Sequence, residues 1–333
     1  MNISTKTKEN AQPNWISIIS KYNKPDPLKS WWQIINSVGP YIILWIIMVK
    51  TMGISYWLTL ILALFAAGFM IRIFIIFHDC GHGSFFRSKR LNMIVGIITG
   101  LIVFTPYHKW HKDHYIHHQT VGNLDKRGTG DVKTLTVAEY SKLTKWQRFL
   151  YRIYRNPVIL LGIAPILLFT IQQRFTRKKM SGKEKIQVHL STLAIIVAIG
   201  LLALAIGWKT YLLIQLPILY IATVHGVWLF YVQHQYRHVV WTNSENWDYK
   251  TIALKGSSMF KLPGILNWFT GNIGYHHIHH LSPLIPNYNL KKCHLENSIF
   301  QDTKPITFLS AFESLLLRLW DERRQMLIRF NEI

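Results

Sequence analysis

Four apolar segments dominate the chain, each close to the roughly 20 residues that a helix needs to cross a bilayer. They run from Trp31 to Met48, Tyr56 to Phe77, His189 to Trp208 and Tyr211 to Val232. Gly53 lies in a short turn between the first two, and Trp208-Lys209-Thr210 joins the last two. The pattern predicts two helical hairpins. Two weaker stretches, Met93 to Tyr107 and Val158 to Gln172, are short for a crossing, and the second contains Pro165. They suit re-entrant or interfacial helices. Parity agrees, because one extra crossing would put the later histidine-rich segments on opposite faces of the membrane. The last segment, Pro305 to Phe330, spaces Leu309, Phe312, Leu316, Leu319, Trp320 and Leu327 among charged residues. It predicts an amphipathic helix lying on the membrane surface or against a cytoplasmic domain.

Composition sharpens this picture. Of the 333 residues 50% are hydrophobic and only 16% charged, against about a quarter charged in soluble domains. The formal charge of +22 would suggest a nucleic-acid partner on a soluble protein. Here Lys and Arg gather in loops beside apolar segments, so no nucleic-acid partner is expected. Of 38 basic residues, Lys50 and Lys209 fall in the outer turns and Arg72 within a helix, which leaves 35 on one side. That bias places both termini in the cytoplasm. The polar stretch from Met1 to Lys29 holds no evident cleavable signal peptide. Cys80 and Cys293 cannot build a disulfide framework, and on the cytoplasmic side they stay reduced. No linker or repeat divides the chain. Residues 1–333 therefore read as one domain: a cytoplasmic segment 1–30, a hairpin 31–77, a cytoplasmic stretch 78–187 with re-entrant or interfacial parts, a hairpin 188–233, and a cytoplasmic cap with its final helix, 234–333.

Sixteen histidines are present, and most of them cluster. His78 and His82 stand at the end of the second crossing, four residues apart and so on one helical face. His108, His111, His114, His117 and His118 overlap spacings of three and four. His276, His277, His279 and His280 follow the last crossing, with His234 and His238 just beyond its end. One such pair is an ordinary capping or interfacial feature. Three clusters on one side of the membrane, two of them repeating His-x-x-His-His, point instead to metal. Imidazole suits iron, copper, zinc and nickel, and eight or more ligands are too many for one ion. A His-Glu-x-x-His zinc motif, a Glu-x-x-His pair and a Cys-x-x-Cys are all missing. What remains is a dinuclear, all-nitrogen site at a membrane surface.

The segments HDCGHGSFF from His78, HKDHYIHHQTVGNLDKRGTGD from His111, FYVQHQ from Phe230 and GNIGYHHIHHLSPLIPNYNL from Gly271 resemble the membrane fatty acid desaturase family. The similarity spans roughly Trp31 to Leu290. It implies an all-α integral-membrane fold, with four transmembrane helices beneath a cytoplasmic helical cap that holds two irons. Carried onto this chain, the boxes assign His78 and His82, then His114, His117 and His118, then His276, His279 and His280, with His234 as a ninth ligand. His111 stacks one turn before His114 and is the alternative ligand; the box pattern selects His114. His277 points off the ligand face. Arg237-His238 departs from the family's pattern, which has an acidic residue there. His108, His189, His225 and His294 lack box context and read as structural. Ligating imidazoles usually donate their second N–H to a carboxylate or carbonyl, which makes Asp79, Asp113, Asp125 and Asp131 candidates, with Asn272 on the approach to His276. Arg72, about 9 Å of helix rise from His78, is either functional or snorkels to the interface.

The resemblance implies dioxygen as co-substrate, a fatty acyl lipid as substrate and a cis double bond as product. No His-Pro-Gly-Gly haem motif is fused to the chain. A separate electron donor such as ferredoxin is implied, and with the short termini a bacterial inner-membrane protein. The close rival is a hydroxylase or ketolase on the same boxes, acting on a carotenoid, alkane or sphingolipid. A distant one is a metal transporter or sensor, which would need ligands along a path through the bilayer.

Overall fold

The computed structural model describes residues 15–128, 130–178 and 180–333. The first fourteen residues of the expected cytoplasmic N-terminal segment lie outside the described residues. The chain is mainly helical. Helix α1 (Trp15–Ser20) precedes α2 (Pro27–Thr51), α3 (Tyr56–His82), α4 (Lys89–Ile102) and α5 (Tyr107–Thr120). Strand β1 (Leu135–Thr136), α6 (Val137–Ser141) and α7 (Lys145–Tyr154) follow, then a π-helical turn (Val158–Ile163) running into α8 (Ala164–Thr170). Two long helices come next, α9 (Gly182–Ile206) and α10 (Trp208–His234). The remainder comprises α11 (Tyr249–Lys255), β2 (Met259–Phe260), α12 (Gly264–Phe269), α13 (His276–Leu281), α14 (Asn287–Glu296), β3 (Pro305–Ile306), α15 (Phe308–Ser314), β4 (Leu319–Asp321) and β5 (Met326–Ile328).

Four described helices, α2, α3, α9 and α10, are long and apolar enough to span a membrane. They match the four predicted segments in place and exceed three of them at both ends or at the metal side. The starts have local causes. Asp26 caps α2 by accepting from the backbone N–H of Leu28 and Lys29, with Pro27 in the first turn. Ser181 and Glu184 form a reciprocal capping box on α9. One predicted turn is wrong. Trp208-Lys209-Thr210 belongs to α10, and the chain breaks at Gly207 alone, whose φ of +86° is open to glycine.

Packing joins α2, α3 and α10. Ala63, Ala66 and Ala67 on α3 are fully buried, beside Met48 of α2 and Ile214 and Ile218 of α10. Small side chains let such helices approach closely, where dispersion does the work that water exclusion cannot do in lipid. The outward faces are apolar and open: Leu190, Leu193, Ile196 and Leu201 of α9, and Trp32, Ile35, Ile42 and Ile46 of α2. The chain is therefore a membrane protein.

The two weaker apolar stretches are bent. Helices α4 and α5 meet at 102° across a break at Val103–Pro106, and α7 meets the following Val158–Arg174 stretch at 48°. Bending turns α5 toward the ends of α3 and α10. The C-terminal expectation fails. Pro305 to Phe330 is not one amphipathic helix but β3, the short α15 and a β4–β5 ribbon, with Leu319 opposite Ile328 and Trp320 opposite Leu327. β4 also pairs in parallel with β1, and β3 with β2. The ribbon is covered on both faces: Trp320 and Leu327 pack with Leu317, Val239 and Trp241, and Leu319 and Ile328 with Tyr140 and Tyr151, which alternation along the strands allows.

This C-terminal segment is pinned from two sides. Arg237, at the departure from the family pattern, reaches Glu313 at 2.7 Å and Glu332 at 3.2 Å. Arg155, only 1% exposed, donates to Thr134 Oγ1 at 2.6 Å, Tyr231 OH at 3.0 Å, Gln235 Oε1 at 3.1 Å and the Leu317 carbonyl at 3.0 Å. It thereby ties α7, α10 and the β1 approach to the C-terminal segment. Arg155→Met keeps the stem but strands these buried acceptors, and should cost about 3 kcal/mol or more. Thermal unfolding in detergent reads this loss; a midpoint within a degree or so of the parent would refute the hub.

Candidate metal centre

The first histidine pair needs no loop at all. Helix α3 continues past its apolar span through His78 and His82, and Gly83 ends it one residue later. Helix α10 likewise carries His234 as its last residue. Helix α5 lays His114, His117 and His118 across one side, and α13 contributes His276, His279 and His280. Four helices thus bring nine imidazoles together. They form two groups, in each of which the nearest ligand atoms lie within 4.8 Å of one another: His78, His82, His114, His118 and His279, and His117, His234, His276 and His280. The His118 and His280 rings stack at 4.2 Å between centroids and join the groups.

The spacing inside each group suits an ion. In the first, Nε2 of His114 is 3.0 Å from that of His78 and 3.1 Å from that of His118, which is 3.1 Å from that of His279. In the second, Nε2 of His234 is 2.9 Å from that of His276 and 3.2 Å from that of His117, and His280 is 3.1 Å from His276. Metal–nitrogen bonds of about 2.1 Å place neighbouring donors of an octahedral shell roughly 3.0 Å apart. His82 Nε2 is buried without a hydrogen-bond partner among the described residues. An interior that crowds so many lone pairs is costly unless a cation gathers them. The residues fit a dinuclear site.

Two carboxylates orient ligand rings. Asp79 Oδ1 accepts from His78 Nδ1 at 3.0 Å, which leaves Nε2 free for the group. Asp79 Oδ2 in turn accepts from the backbone N–H of Asn287 at 2.7 Å and its side-chain amide at 2.8 Å. Asn287 opens α14, where backbone N–H groups lack helical partners. Gln33 of α2 donates to Asn287 Oδ1 at 3.1 Å, so the chain of contacts reaches into a spanning helix. Asp131 Oδ1 lies 2.7 Å from His117 Nδ1. Burial pushes the Asp131 carboxyl up, but the His117 imidazole outweighs it and holds the group below the usual range. Gly130 makes this approach possible: at φ +77° a Cβ there would lie 2.8 Å from His117 Cβ. The third orienting group is the Gly256 carbonyl, 3.4 Å from His234 Nδ1. A narrow cleft lined by Asn123, Arg127, Asp131, Thr134, His234 and Gln235 opens beside the second group.

The other candidates lie elsewhere. His111 is exposed and stacks on Tyr107, outside both groups. Asp113 pairs with Lys109 at 3.4 Å and Arg177 at 3.1 Å on the outer side of α5. Asp125 accepts from the Ser244 backbone N–H at 2.8 Å and ties two loops together. Asn272, in a left-handed turn at φ +58°, donates to the Asn287 carbonyl at 3.4 Å and lies outside both groups. His277 is buried against His294 at 5.3 Å and also lies outside both groups. His225 bonds the Ile221 carbonyl of its own helix at 2.8 Å. Arg72 is buried, lies over the Trp268 ring at 3.9 Å and donates to the Trp268 carbonyl. Cys80 and Cys293 are free and buried. Sequence reasoning missed Asn287 and Gln33. The Ile-Pro-Asn-Tyr motif contained the signal for the first, since a Pro-Asn start to a helix presents free N–H groups; nothing marked Gln33.

Comparison with known proteins agrees with this geometry. The fatty acid desaturase family model matches residues 55–305. A fatty acid desaturase of Bacillus subtilis is 44% identical over 95% of this chain and 90% of its own length. An sn-1 acyl-lipid omega-3 desaturase (ferredoxin) of Synechocystis is 32% identical over 66% of this chain and 62% of its own. An sn-1 oleoyl-lipid 12-desaturase of Picosynechococcus is 26% identical over 81% and 76%.

Two predictions follow from the geometry. His114→Ala should lose bound metal while His111→Ala keeps it, and Asn287→Ala should weaken metal binding roughly 10- to 100-fold by freeing Asp79. Elemental analysis of purified variants reads all three; equal metal in the first two would refute the assignment, and loss in His111→Ala alone would reverse it. The second concerns acid. Burial first, then neighbouring imidazoles, hold His114, His118, His276, His279 and His280 well below 6.5. Their folded-state values lie under the unfolded ones, so neutral rings stabilise the fold fully above about pH 6.5 and lose that contribution as pH falls. The thermal midpoint of metal-depleted protein should drop on acidification from about pH 7.5 to 5.5; a flat or rising profile contradicts it.

Proposed function

Because the chain belongs to the fatty acid desaturase family, we propose that it is an acyl-lipid desaturase whose two histidine groups hold two irons, His78, His82, His114, His118 and His279 around one and His117, His234, His276 and His280 around the other. It is an oxidoreductase that acts on lipid acyl chains. The observation that carries the metal reading is the convergence of nine imidazoles at donor–donor distances near 3 Å.

When bound, the irons supply the dioxygen chemistry that removes two hydrogens from neighbouring, unactivated methylenes. One dioxygen, two electrons and two protons from outside, with the two substrate hydrogens, leave a cis double bond and two waters. The residues of the chain set the conditions. Asp79, fixed by Asn287, keeps His78 in the tautomer that presents Nε2, and Asp131 does the same for His117. Burial shields the rings from bulk water and holds His114, His118, His276, His279 and His280 well below 6.5, which favours the neutral form that a ligand needs.

The electrons come from a separate carrier of the ferredoxin kind, the donor that the name of the Synechocystis relative gives for that protein. The 35 basic residues assigned to one side support a cytoplasmic placement of both termini and of the histidine groups, in a bacterial inner membrane. Residues 1–333 then form one domain, with α2–α3 and α9–α10 as its two hairpins and the segments after α3 and α10 as the cap.

Fatty acid methyl ester profiles of a bacterial host expressing the parent chain or His279→Ala test the activity. A new unsaturated species with the parent alone is expected, and derivatisation locates its double bond. Added oxygen in the product would make the enzyme a hydroxylase. Unchanged profiles with metal bound and a donor supplied would remove acyl-lipid desaturation.

A further inference from the structure

Behind the ligand face of α5 lies a cluster of cations that the metal centre does not use. Lys109 is only 5% exposed, though ammonium groups are seldom buried without full compensation. Its Nζ donates to Gln173 Oε1 at 2.8 Å and sits 3.4 Å from Asp113 Oδ2. Burial pulls Lys109 below its ordinary value, and the charges of Arg177 and Arg174 add to that. Arg177 reaches the same Asp113 at 3.1 Å. One carboxylate therefore serves two cations. The neighbouring acid, Glu184, is already taken by Lys112 at 2.6 Å and by the cap of α9.

Arg174 has no carboxylate among the described residues. Its Nη2 donates to the carbonyls of Phe104 and Phe169, and its Nη1 is buried with no acceptor among the described residues. A buried guanidinium nitrogen left unbonded carries a desolvation cost, and burial lowers the group to about 10. The surroundings say where such an acceptor comes from. Ile171 is 50% exposed and Phe175 65%, on either side of Arg174 in the chain. Ile98 of α4 and Leu167 of α8 are also open. The cluster sits at the end of an apolar, outward-facing stretch just before the start of α9, at the level where lipid headgroups begin.

We propose that Lys109, Arg174 and Arg177, at the junction of α5, α8 and α9, form a binding site for the phosphate of a membrane glycerophospholipid. A phosphodiester supplies acceptors for Arg174 Nη1 and the surplus charge at Lys109 and Arg177, while its acyl chains lie against Ile171 and Phe175. Guanidinium forks bind phosphate with charge-assisted bonds. The site is separate from the histidine groups and needs no turnover to be observed.

The test is equilibrium binding of dihexanoyl phosphatidylglycerol, below its micelle concentration, to the full-length protein in neutral detergent, read by native mass spectrometry. Lys109→Gln and Arg177→Gln should each weaken binding about tenfold, whereas Arg174→Lys, which keeps the charge, should weaken it less. Substituting Gln at Lys291 and Lys292, two exposed cations on α14, should leave binding unchanged. Dihexanoylglycerol, with the same chains and no phosphate, should bind at least about tenfold more weakly. Arg177 is half-exposed, so its variant decides the matter if Lys109→Gln does not fold. Equal affinity in the parent and the Arg177 variant overturns the site. Equally tight diacylglycerol overturns the role of phosphate. Inorganic phosphate that displaces the lipid at matching concentration overturns the lipid assignment in favour of free phosphate.

Discussion

Nine buried or half-buried imidazoles crowd their ring nitrogens into a small volume, with neighbouring Nε2 atoms 2.9 to 3.2 Å apart, and that crowding constrains everything around them. Water cannot relieve it, because the rings of His117, His276, His279 and His280 are almost wholly buried. A cation that gathers the Nε2 atoms relieves it, and the second nitrogen of His78 and of His234 turns away to Asp79 and to the Gly256 carbonyl. Four helices must therefore end, bend or begin within one small region. Helix α3 runs on past its apolar span to deliver His78 and His82, α10 stops at His234, and the 102° bend between α4 and α5 swings a third helix across them.

The supports explain otherwise odd features. A carboxylate buried at the end of a spanning helix would be costly alone, but Asp79 is met by the N-terminus of α14 and by Asn287, which Gln33 holds in turn. Residues near both ends of the chain thus brace one ligand. On the other side, glycine at 130 lets Asp131 lie against His117. Arg155, the nearby hub, uses only neutral acceptors and leaves Asp131 for the histidine.

Much of this was legible in order along the chain. The four crossings stood out because apolar runs of that length have few other uses, and the ligand histidines because spacings of three and four put them on shared faces. The failures have a common cause. Trp208 to Thr210 looked like a polar turn, yet a single glycine suffices to reverse the chain. Pro305 to Phe330 carried apolar residues at helix-like intervals, and the strands that displaced the helix found their partners in β1 and β2, far away in sequence. His111 and His114 differ by less than a helical turn, so only the direction in which α5 presents its faces separates them.

The sequence by itself determined which histidines share a face and that the chain is membrane-embedded, and their number pointed to more than one metal ion. These are local or compositional properties, set by helical periodicity and by transfer of apolar groups out of water. Tertiary structure alone decided how nine imidazoles divide into groups of five and four, and that Asp79 and Asp131 lie against His78 and His117 while Asp113 turns to Lys109 and Arg177. It also brought Asn287 and Gln33 to the site. Such choices depend on how helices cross when they are separated by a hundred residues or more, and no local pattern encodes a crossing.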